Sequence, residues 1–294
     1  MGTPATPLAK ELIDQLDAIA LAHPPPRIAG LHVPADLQSP SARPRDAAFC
    51  AIELEDGAFG LSYLLLGDTV RQWMARDNVH AGTQPLRGRC PLELARRFAT
   101  HDGLDRALAL ACINALTDSV WRRLQYDPPA ADNSLGDIAL QPGDHLGMIG
   151  FFPPLVRQVQ ATQAELTVVE LSDDMVRRQQ ARFPGVRITT DRAALAHCNV
   201  VVGTSTMLLN DTLDAMLAAA PRARRFAVIG PSAGLWPDAL FARGVTLLGG
   251  TRVVDGDGFR KAMASGDSWS GTARKFALSA VDWPGWKGLL APRA

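Results

Sequence analysis

The sequence predicts an α/β protein with a parallel sheet in its C-terminal half and a smaller α+β domain before it. Between His145 and Thr251, short apolar runs alternate with helical segments, and each run ends in a small or polar cluster. This alternation is typical of a parallel sheet covered by helices on both faces. Residues 1–125 instead give a helix, a hairpin and further helices, so we expect a domain of a different kind there.

The N-terminal elements follow from apolar spacing and turn residues. Helical spacing of apolar residues is found at 7–22, 91–98 and 103–124. The dipeptide Asp56-Gly57 lies between two apolar runs and predicts a β-hairpin over 47–67. One further short strand is expected within 27–33.

The C-terminal half predicts strands and helices in alternation. Strands are expected near 146–151, 166–171, 186–189, 199–204, 225–230 and 245–250. Helices are expected at 153–163, 173–183, 192–197, 208–220, 237–243 and 257–264. Ser172 and Asp191 are suitable N-caps for two of these helices. The tail at 265–294 has little periodicity and is expected to pack on one of the two domains.

The domain boundaries are predicted from length and from turn-forming residues. A chain of 294 residues is long enough for one large domain or two ordinary ones. Proline, glycine and polar residues cluster just after residue 125. We therefore predict a first domain at 1–125, a linker at 126–144 and a second domain at 145–294.

Charge and composition narrow the partners and the compartment. Thirty basic residues balance thirty acidic ones, so net charge favours neither nucleic acid nor an anionic membrane surface. The first residues lack the basic and apolar regions of a signal peptide, and the apolar runs are too short for a membrane helix. We expect a cytoplasmic protein that binds a small molecule. We also expect it to form a homodimer.

Metal-binding and nucleophile motifs are absent from the sequence. Six histidines and four cysteines are scattered, with neither HExxH nor CxxC spacing. His197 and Cys198 are adjacent, but neighbours at the entry of a strand usually point to different faces. There is also no GxSxG turn of the hydrolase type. The sequence therefore gives no direct metal site and no activated serine.

The first strand–helix turn of the C-terminal half argues against a standard dinucleotide site. Such a site needs GxGxxG so that backbone can approach a pyrophosphate. Here Gly150 is followed by Phe151, Phe152 and Pro153, and two rings obstruct that approach. The turn is interpreted either as a stiff connection that buries two aromatic rings, or as one wall of a ligand pocket.

Glu170 ends the second predicted strand, twenty residues after Gly150. An acidic residue at this place in a doubly wound sheet can bind ribose hydroxyls. Alternatively, the carboxylate assists Ser172 at the N-terminus of the next helix. Both interpretations stay open at this point.

Small and polar residues end the later strands as well. They are Gly203, Thr204 and Ser205, with Asn210 beyond them, then Gly230, Pro231 and Ser232, then Gly250 and Thr251. Such clusters suit a carboxylate or another anion, and the same residue types also cap helices. Because the carboxyl ends of parallel strands meet at one edge of the sheet, the repeated clusters predict a ligand pocket there.

The C-terminal motifs together resemble those of the putative heavy-metal chelation family. The matching runs are MIGFFPPLV (148–156), TVVEL (167–171), VVGTSTMLLNDT (201–212), IGPSAGLWPDALFARGV (229–245) and LGGTRVVD (248–255). The run ALACINAL (109–116) and the hairpin over 51–63 also look like the family pattern. The resemblance covers most of the chain.

The resemblance implies a fold and a place for the site. It implies an enolase-N-terminal-like domain joined to a Rossmann-like domain, with a cleft between them. The suggested role is the handling of heavy metals or of a metal-binding small molecule. By that match, the cleft would be lined by Asn114, Glu170, Thr204, Asn210 and Ser232.

Three hypotheses for function remain open. The first is binding of a small polar metabolite or metal chelate in the interdomain cleft, with or without its chemical transformation. The second is an enzyme with a nucleotide-type cofactor, such as S-adenosylmethionine, held in a non-standard way. The third is a heavy-metal binding module without turnover. The predicted ligand-binding residues are Asn114, Gly150, Phe151, Glu170, Gly203, Thr204, Ser205, Asn210, Gly230, Pro231, Ser232, Gly250 and Thr251. The sequence does not identify a cofactor, and a heavy metal and an adenine-type cofactor are the two candidates.

Overall fold

The computed structural model describes residues 7–33, 48–64, 86–131, 140–162 and 164–291. It has a mixed α/β architecture with one antiparallel and one mainly parallel sheet. Parts of the predicted linker and hairpin, residues 132–139 and 65–67, lie outside the described residues. No helix in the described ranges is long and apolar enough to cross a membrane.

The N-terminal part contains the predicted helices and hairpin. Its elements are α1 (Pro7–Ala22), β1 (Ile28–His32), β2 (Phe49–Leu54), β3 (Phe59–Tyr63), α2 (Pro91–Ala95) and α3 (Gly103–Arg123). The three strands form an antiparallel sheet in the order β1-β2-β3, and β2 and β3 are joined by the Asp56-Gly57 turn. The helix predicted over 91–98 is observed as α2 followed directly by a 3₁₀ turn, Arg96–Ala99.

Helix α3 packs directly against the hairpin. A Cβ built on Gly60 would lie 2.0 Å from the carbonyl oxygen of Ala111 and 2.1 Å from the amide nitrogen of Ala115. The strand therefore rests on the backbone of the helix, and a side chain larger than hydrogen does not fit between them. This close approach explains why α3 is buried along most of its length.

The C-terminal part forms a seven-stranded sheet within the described ranges. Its strands are β4 (His145–Ile149), β5 (Glu165–Val169), β6 (Arg187–Thr189), β7 (Val200–Thr204), β8 (Arg225–Ile229), β9 (Leu247–Val253) and β10 (Ala273–Ser279). Its helices are α4 (Pro153–Gln160), α5 (Asp173–Arg182), α6 (Leu213–Ala219), α7 (Asp238–Phe241), α8 (Gly256–Ser265) and α9 (Trp286–Leu290). The strand order is β10-β9-β8-β7-β4-β5-β6.

This order places a topological switch between β4 and β7. All pairs from β6 to β9 are parallel, and only the edge pair β9–β10 is antiparallel. The chain leaves β4 toward β5 on one side and returns to β7 on the other, so the connections diverge at the carboxyl end of β4. Crevices at such points are where doubly wound sheets bind ligands.

One strand of this half was not predicted, and one predicted helix is wrong in detail. No strand was predicted in the tail, but β10 there pairs with β9 along its whole length, from Val253 to Leu247. The helix expected over 208–220 is divided into a 3₁₀ turn, Ser205–Leu208, and α6. Asp211 between them has φ +58°, which no right-handed helix accommodates.

The apolar cores cover both faces of the large sheet. One cluster runs from Leu12 on α1 through Leu116 on α3 to Val228 on β8. A second, with Leu155 and Val168 among its members, lies under α4 on the opposite face. Because the first cluster takes residues from both predicted domains, the division into 1–125 and 145–294 stays a prediction.

A buried carboxylate also connects the two parts. Asp118 on α3 accepts a hydrogen bond from Arg252 Nε at 2.6 Å and another from Arg122 Nε at 2.7 Å. It accepts a third from the backbone amide of Phe59 at 3.1 Å. The helix, the hairpin and β9 are thereby fixed to one another.

Candidate functional site

A cavity of about 540 Å³ lies at the carboxyl ends of the central parallel strands. It is bordered by the residue that follows each of four strands: Gly150 after β4, Glu170 after β5, Ser205 after β7 and Gly230 after β8. A volume of this size accommodates a small organic molecule. The cavity is therefore found at the edge of the sheet that the sequence indicated.

The wall opposite the large sheet comes from the N-terminal hairpin. Phe49 on β2 and Tyr63 on β3 line the cavity, and their ring centroids are 5.3 Å apart. Phe151 and Phe152 line it from the side of the large sheet. The cavity thus has aromatic rings on both sides.

Glu170 is the buried acidic group of the cavity. Its side chain is 7% exposed, and no basic side chain of the described residues forms an ion pair with it. Burial raises the pKa of the Glu170 carboxyl, and a hydrogen bond from the amide of Leu171 opposes that rise. The next helix is capped by Ser172, whose hydroxyl accepts from the amide of Met175. The helix is thus capped by Ser172, and Glu170 lines the cavity.

Ser205 is enclosed where the turns after β7 and β8 meet. The residue is 2% exposed and lines the cavity. A Cβ on Gly230 would lie 2.4 Å from Ser205 Oγ, and Gly230 has φ +139°. Glycine at this position therefore leaves room for the hydroxyl. The cap of the 3₁₀ turn is Thr204, whose Oγ1 accepts from the amide of Thr206 at 3.3 Å.

The segment after β7 is held from below by Arg106 on α3. Its Nε and Nη2 donate to the carbonyl oxygen of Leu208 at 3.3 and 3.0 Å, and its Nη1 donates to that of Phe98 at 3.0 Å. The guanidinium also stacks 4.2 Å from the Phe98 ring centroid. Asp211, 3.6 Å away, completes the contacts. Burial lowers the pKa of Arg106, although Asp211 opposes this.

The structure brings eight of the thirteen predicted site residues to the cavity. They are Gly150, Phe151, Glu170, Thr204, Ser205, Asn210, Gly230 and Pro231. Asn210 lies beside Thr212, with 2.7 Å between its side-chain amide and the threonine hydroxyl.

The other five predicted residues do not line the cavity. Asn114 is 2% exposed and donates through Nδ2 to the carbonyl oxygens of Leu61, at 2.7 Å, and Ser232, at 2.9 Å. Ser232 Oγ in turn accepts from the amide of Tyr63 at 3.0 Å. These two residues therefore join the hairpin to the large sheet instead of facing the cavity.

The remaining three residues that do not line the cavity are Gly203, Gly250 and Thr251. The space that a side chain on Gly203 would fill is occupied by Met207, whose Cε lies 2.4 Å from an ideal Cβ. Gly250 and Thr251 were expected at the end of a strand that stops at 250, but β9 continues to Val253. They consequently lie within the strand, where they pair with β10.

Sequence reasoning missed two groups of lining residues. Phe49 and Tyr63 were assigned to the hairpin, but their distance in sequence from the sheet gave no signal that they face it. Met175, Gln179 and Arg182 also line the cavity, all from α5. Their spacing of four and then three residues puts them on one face of a helix, so this signal was present in the sequence.

The donor set of the described residues does not fit a bound heavy-metal ion. Within those ranges, no three His, Cys, Asp or Glu side chains assemble into a possible metal site. The cavity itself contains one carboxylate, that of Glu170, and no histidine or cysteine among its lining residues. His197 and Cys198, adjacent in sequence, are likewise not part of any such group.

The buried cysteines are expected to be unreactive in the folded protein. Burial raises the pKa of Cys50 to about 12 and that of Cys198 to about 11, and it also raises the pKa of Cys112. Since the thiolate is the reactive form, these side chains stay protonated at pH 8. A disulfide reagent should rapidly label only the half-buried Cys90, against all four thiols in denaturant. Rapid labelling of two or more thiols in the native protein would contradict this.

Comparisons with known proteins agree with this architecture. Two family models, both described as putative heavy-metal chelation, match residues 135–282 and 47–117. An uncharacterized protein of Methanocaldococcus jannaschii is 24% identical over 184 residues, which cover 60% of this chain and 67% of that protein.

Two solved structures of proteins of unknown function, from the family of the first model, are similar in fold. One, from Pyrococcus horikoshii, is 17% identical with a TM-score of 0.63, and the match covers 92% of this chain and 99% of that one. Another, from Desulfitobacterium hafniense DCB-2, is 19% identical with a TM-score of 0.65, covering 92% and 98%. Since the first family model matches half of the sequence and the second adds the hairpin and most of α3, the chain belongs to the putative heavy-metal chelation family.

Proposed function

We propose that this protein binds a small organic molecule, either free or as an intact metal chelate, in the cavity between the hairpin and the large sheet. The observation that carries the proposal is the buried carboxylate of Glu170, which lines the cavity and forms no ion pair with a described residue. A buried charge without a partner is unfavourable. A ligand that brings an amine or hydroxyl group to the carboxylate would remove this cost and thereby gain binding free energy.

Binding of a chelate as a whole molecule fits the donor set better than binding of a bare metal ion. A heavy metal would need several deprotonated thiol, imidazole or carboxylate ligands around it. The described residues offer no such group, and burial keeps Cys50 and Cys112 protonated. The organic part of a chelate would instead contact the aromatic walls and Glu170.

A nucleotide-type cofactor such as S-adenosylmethionine is the second candidate. The observation in its favour is the position of Glu170 at the end of the strand next to β4, on the side of the switch point where ribose hydroxyls are bound in doubly wound sheets. Gly150, with φ +77°, allows a tight turn between β4 and α4. The rings of Phe151 and Phe152, which follow it, obstruct the standard approach of a pyrophosphate to this turn. This candidate predicts a thermal shift with adenine cofactors.

The first experiment is native mass spectrometry of freshly purified protein, with elemental analysis of the same sample. A bound organic mass, with or without metal, would support the proposal. Stoichiometric metal without any organic mass would contradict it. If the protein is isolated empty, a thermal-shift screen of metal chelates, chelators alone, metal salts and adenine cofactors decides between the candidates.

The substitution Glu170→Gln should have opposite effects on binding and on stability. Loss of a charge-assisted hydrogen bond should weaken ligand binding by about 10- to 100-fold. The free variant should be more stable than the wild type at neutral pH, because the raised pKa means that the ionised carboxylate destabilises the folded state. That destabilisation is present above the folded pKa and disappears as the pH falls through it toward 4.5, so the two melting temperatures should converge in acid.

The matched control is Glu165→Gln, at the start of the same strand. Its side chain is 80% exposed, and its contact is a pair with His145 at 3.4 Å. Neither binding nor melting temperature should change appreciably. If Glu170→Gln binds the ligand as tightly as the wild type does, Glu170 is not part of the site.

A further inference from the structure

The polar atoms of the cavity that lack partners are mainly hydrogen-bond acceptors. Among the described residues, the Glu170 carboxylate accepts a hydrogen bond from a backbone amide, that of Leu171, and from no basic side chain. Gln179 has a buried carboxamide oxygen without a partner in the described part of the chain. The Ser205 hydroxyl, on a residue that is 2% exposed, also borders the cavity. A ligand that satisfies these atoms must bring N–H or O–H donors.

The charges of the cavity are arranged by depth. Glu170 is buried, whereas Arg182, the basic residue that lines the cavity, is exposed at the end of α5. The Arg182 guanidinium stacks 5.9 Å from the ring centroid of Phe183 and forms no ion pair with any described residue. Negative charge therefore lies inside and positive charge at the rim, with the rings of Phe49 and Phe151 lining the space.

From this arrangement we infer that the ligand is an amino-acid-like zwitterion, with its amine directed to Glu170, an apolar or aromatic body between the rings, and a carboxylate directed to Arg182. This inference rests on the proposed function and names its substrate class. The amine supplies the donors that the inner acceptors lack. The carboxylate supplies the partner that Arg182 lacks, and the aromatic walls suit a flat body.

The test uses three probes that share one body and differ in their charged groups. Tryptophan has both the amine and the carboxylate, tryptamine has only the amine, and indole-3-propionate has only the carboxylate. Their dissociation constants are measured by calorimetry on wild type, Glu170→Gln and Arg182→Gln. The control is Arg177→Gln on the same helix, since Arg177 pairs with Asp174 and does not line the cavity.

Tryptophan should bind the wild type about 10-fold or more tightly than either partial probe, as expected for loss of one charged hydrogen bond. Glu170→Gln should reduce tryptophan binding to the level of indole-3-propionate, and Arg182→Gln should reduce it to the level of tryptamine. Arg177→Gln should match the wild type. These results together would support the assignment of both charged groups.

Two results would overturn the inference. One is equal binding of all three probes; the other is the absence of binding by any of them at millimolar concentration. The proposed function is tested separately by the molecule found in the native mass spectrum. One outcome is that the molecule is bound by the wild type and lost from Glu170→Gln without being an amine-bearing acid. In that case the proposed function stands and only the substrate class is wrong.

Discussion

Replacement of Gly60 by alanine is expected to destabilise the folded protein by about 3 kcal/mol or more. An added Cβ would lie 2.0 Å from the Ala111 carbonyl oxygen and 2.1 Å from the Ala115 amide nitrogen. Both contacts are with helix backbone, so no side chain can rotate away and β3 must separate from α3. Overpacking in a closed core costs about 1–3 kcal/mol even where side chains can adjust.

Urea denaturation of Gly60→Ala and of a glycine control would measure this effect. Gly271→Ala is suitable, because a Cβ there meets nothing within 4 Å and the backbone needs no positive φ. It should change the free energy of unfolding by less than about 0.5 kcal/mol. A Gly60→Ala protein as stable as the Gly271→Ala protein would mean that the hairpin does not rest on α3 in the way described.

Replacement of Arg106 by methionine is expected to cost about 2–5 kcal/mol and to loosen the segment after β7. Methionine keeps much of the side-chain volume but removes every donor, so the buried carbonyls of Leu208 and Phe98 lose their partners. Each unsatisfied buried acceptor costs about 1–3 kcal/mol. Asp211, at φ +58°, also loses the cation beside it.

Hydrogen exchange should separate this local effect from a general loss of stability. In Arg106→Met, amides of residues 205–212 should exchange faster under native conditions, with less change in α4 and β5. The control is Arg96→Met, whose ion pair with Asp17 is exposed on both sides and should contribute about 0–1 kcal/mol. Uniform acceleration across the chain in Arg106→Met would argue against a specific role in holding this segment.

Local signals in the sequence were sufficient for most of the fold. The Asp56-Gly57 turn gave the hairpin, and the alternation after His145 gave the parallel strands, because both depend on residues close to one another in sequence. Strand β10 was missed because its partner is β9, and only tertiary pairing makes its sequence, ARKFALS, a strand. The interruption at Asp211 was missed for a similar reason, since the contact beside it comes from α3.

The lining residues at the ends of the parallel strands were predicted, whereas those contributed by the distant hairpin were missed. The residues that end β4, β5, β7 and β8 could be found, because parallel strands place their ends together. The aromatic wall from Phe49 and Tyr63 could not, because it depends on how the hairpin docks. Asn114 illustrates the same point: the family resemblance implied a ligand contact, yet its side-chain amide donates to two carbonyls.

The apolar cluster that extends from Leu12 to Val228 gives the molecule a property that neither sheet has alone. Removing the hairpin and its helices would leave one face of the parallel sheet bare, and removing the sheet would expose α3. We therefore expect the two halves to unfold together in one cooperative transition. Since the cavity takes its walls from both, a molecule bound there should stabilise the entire chain and not one half alone.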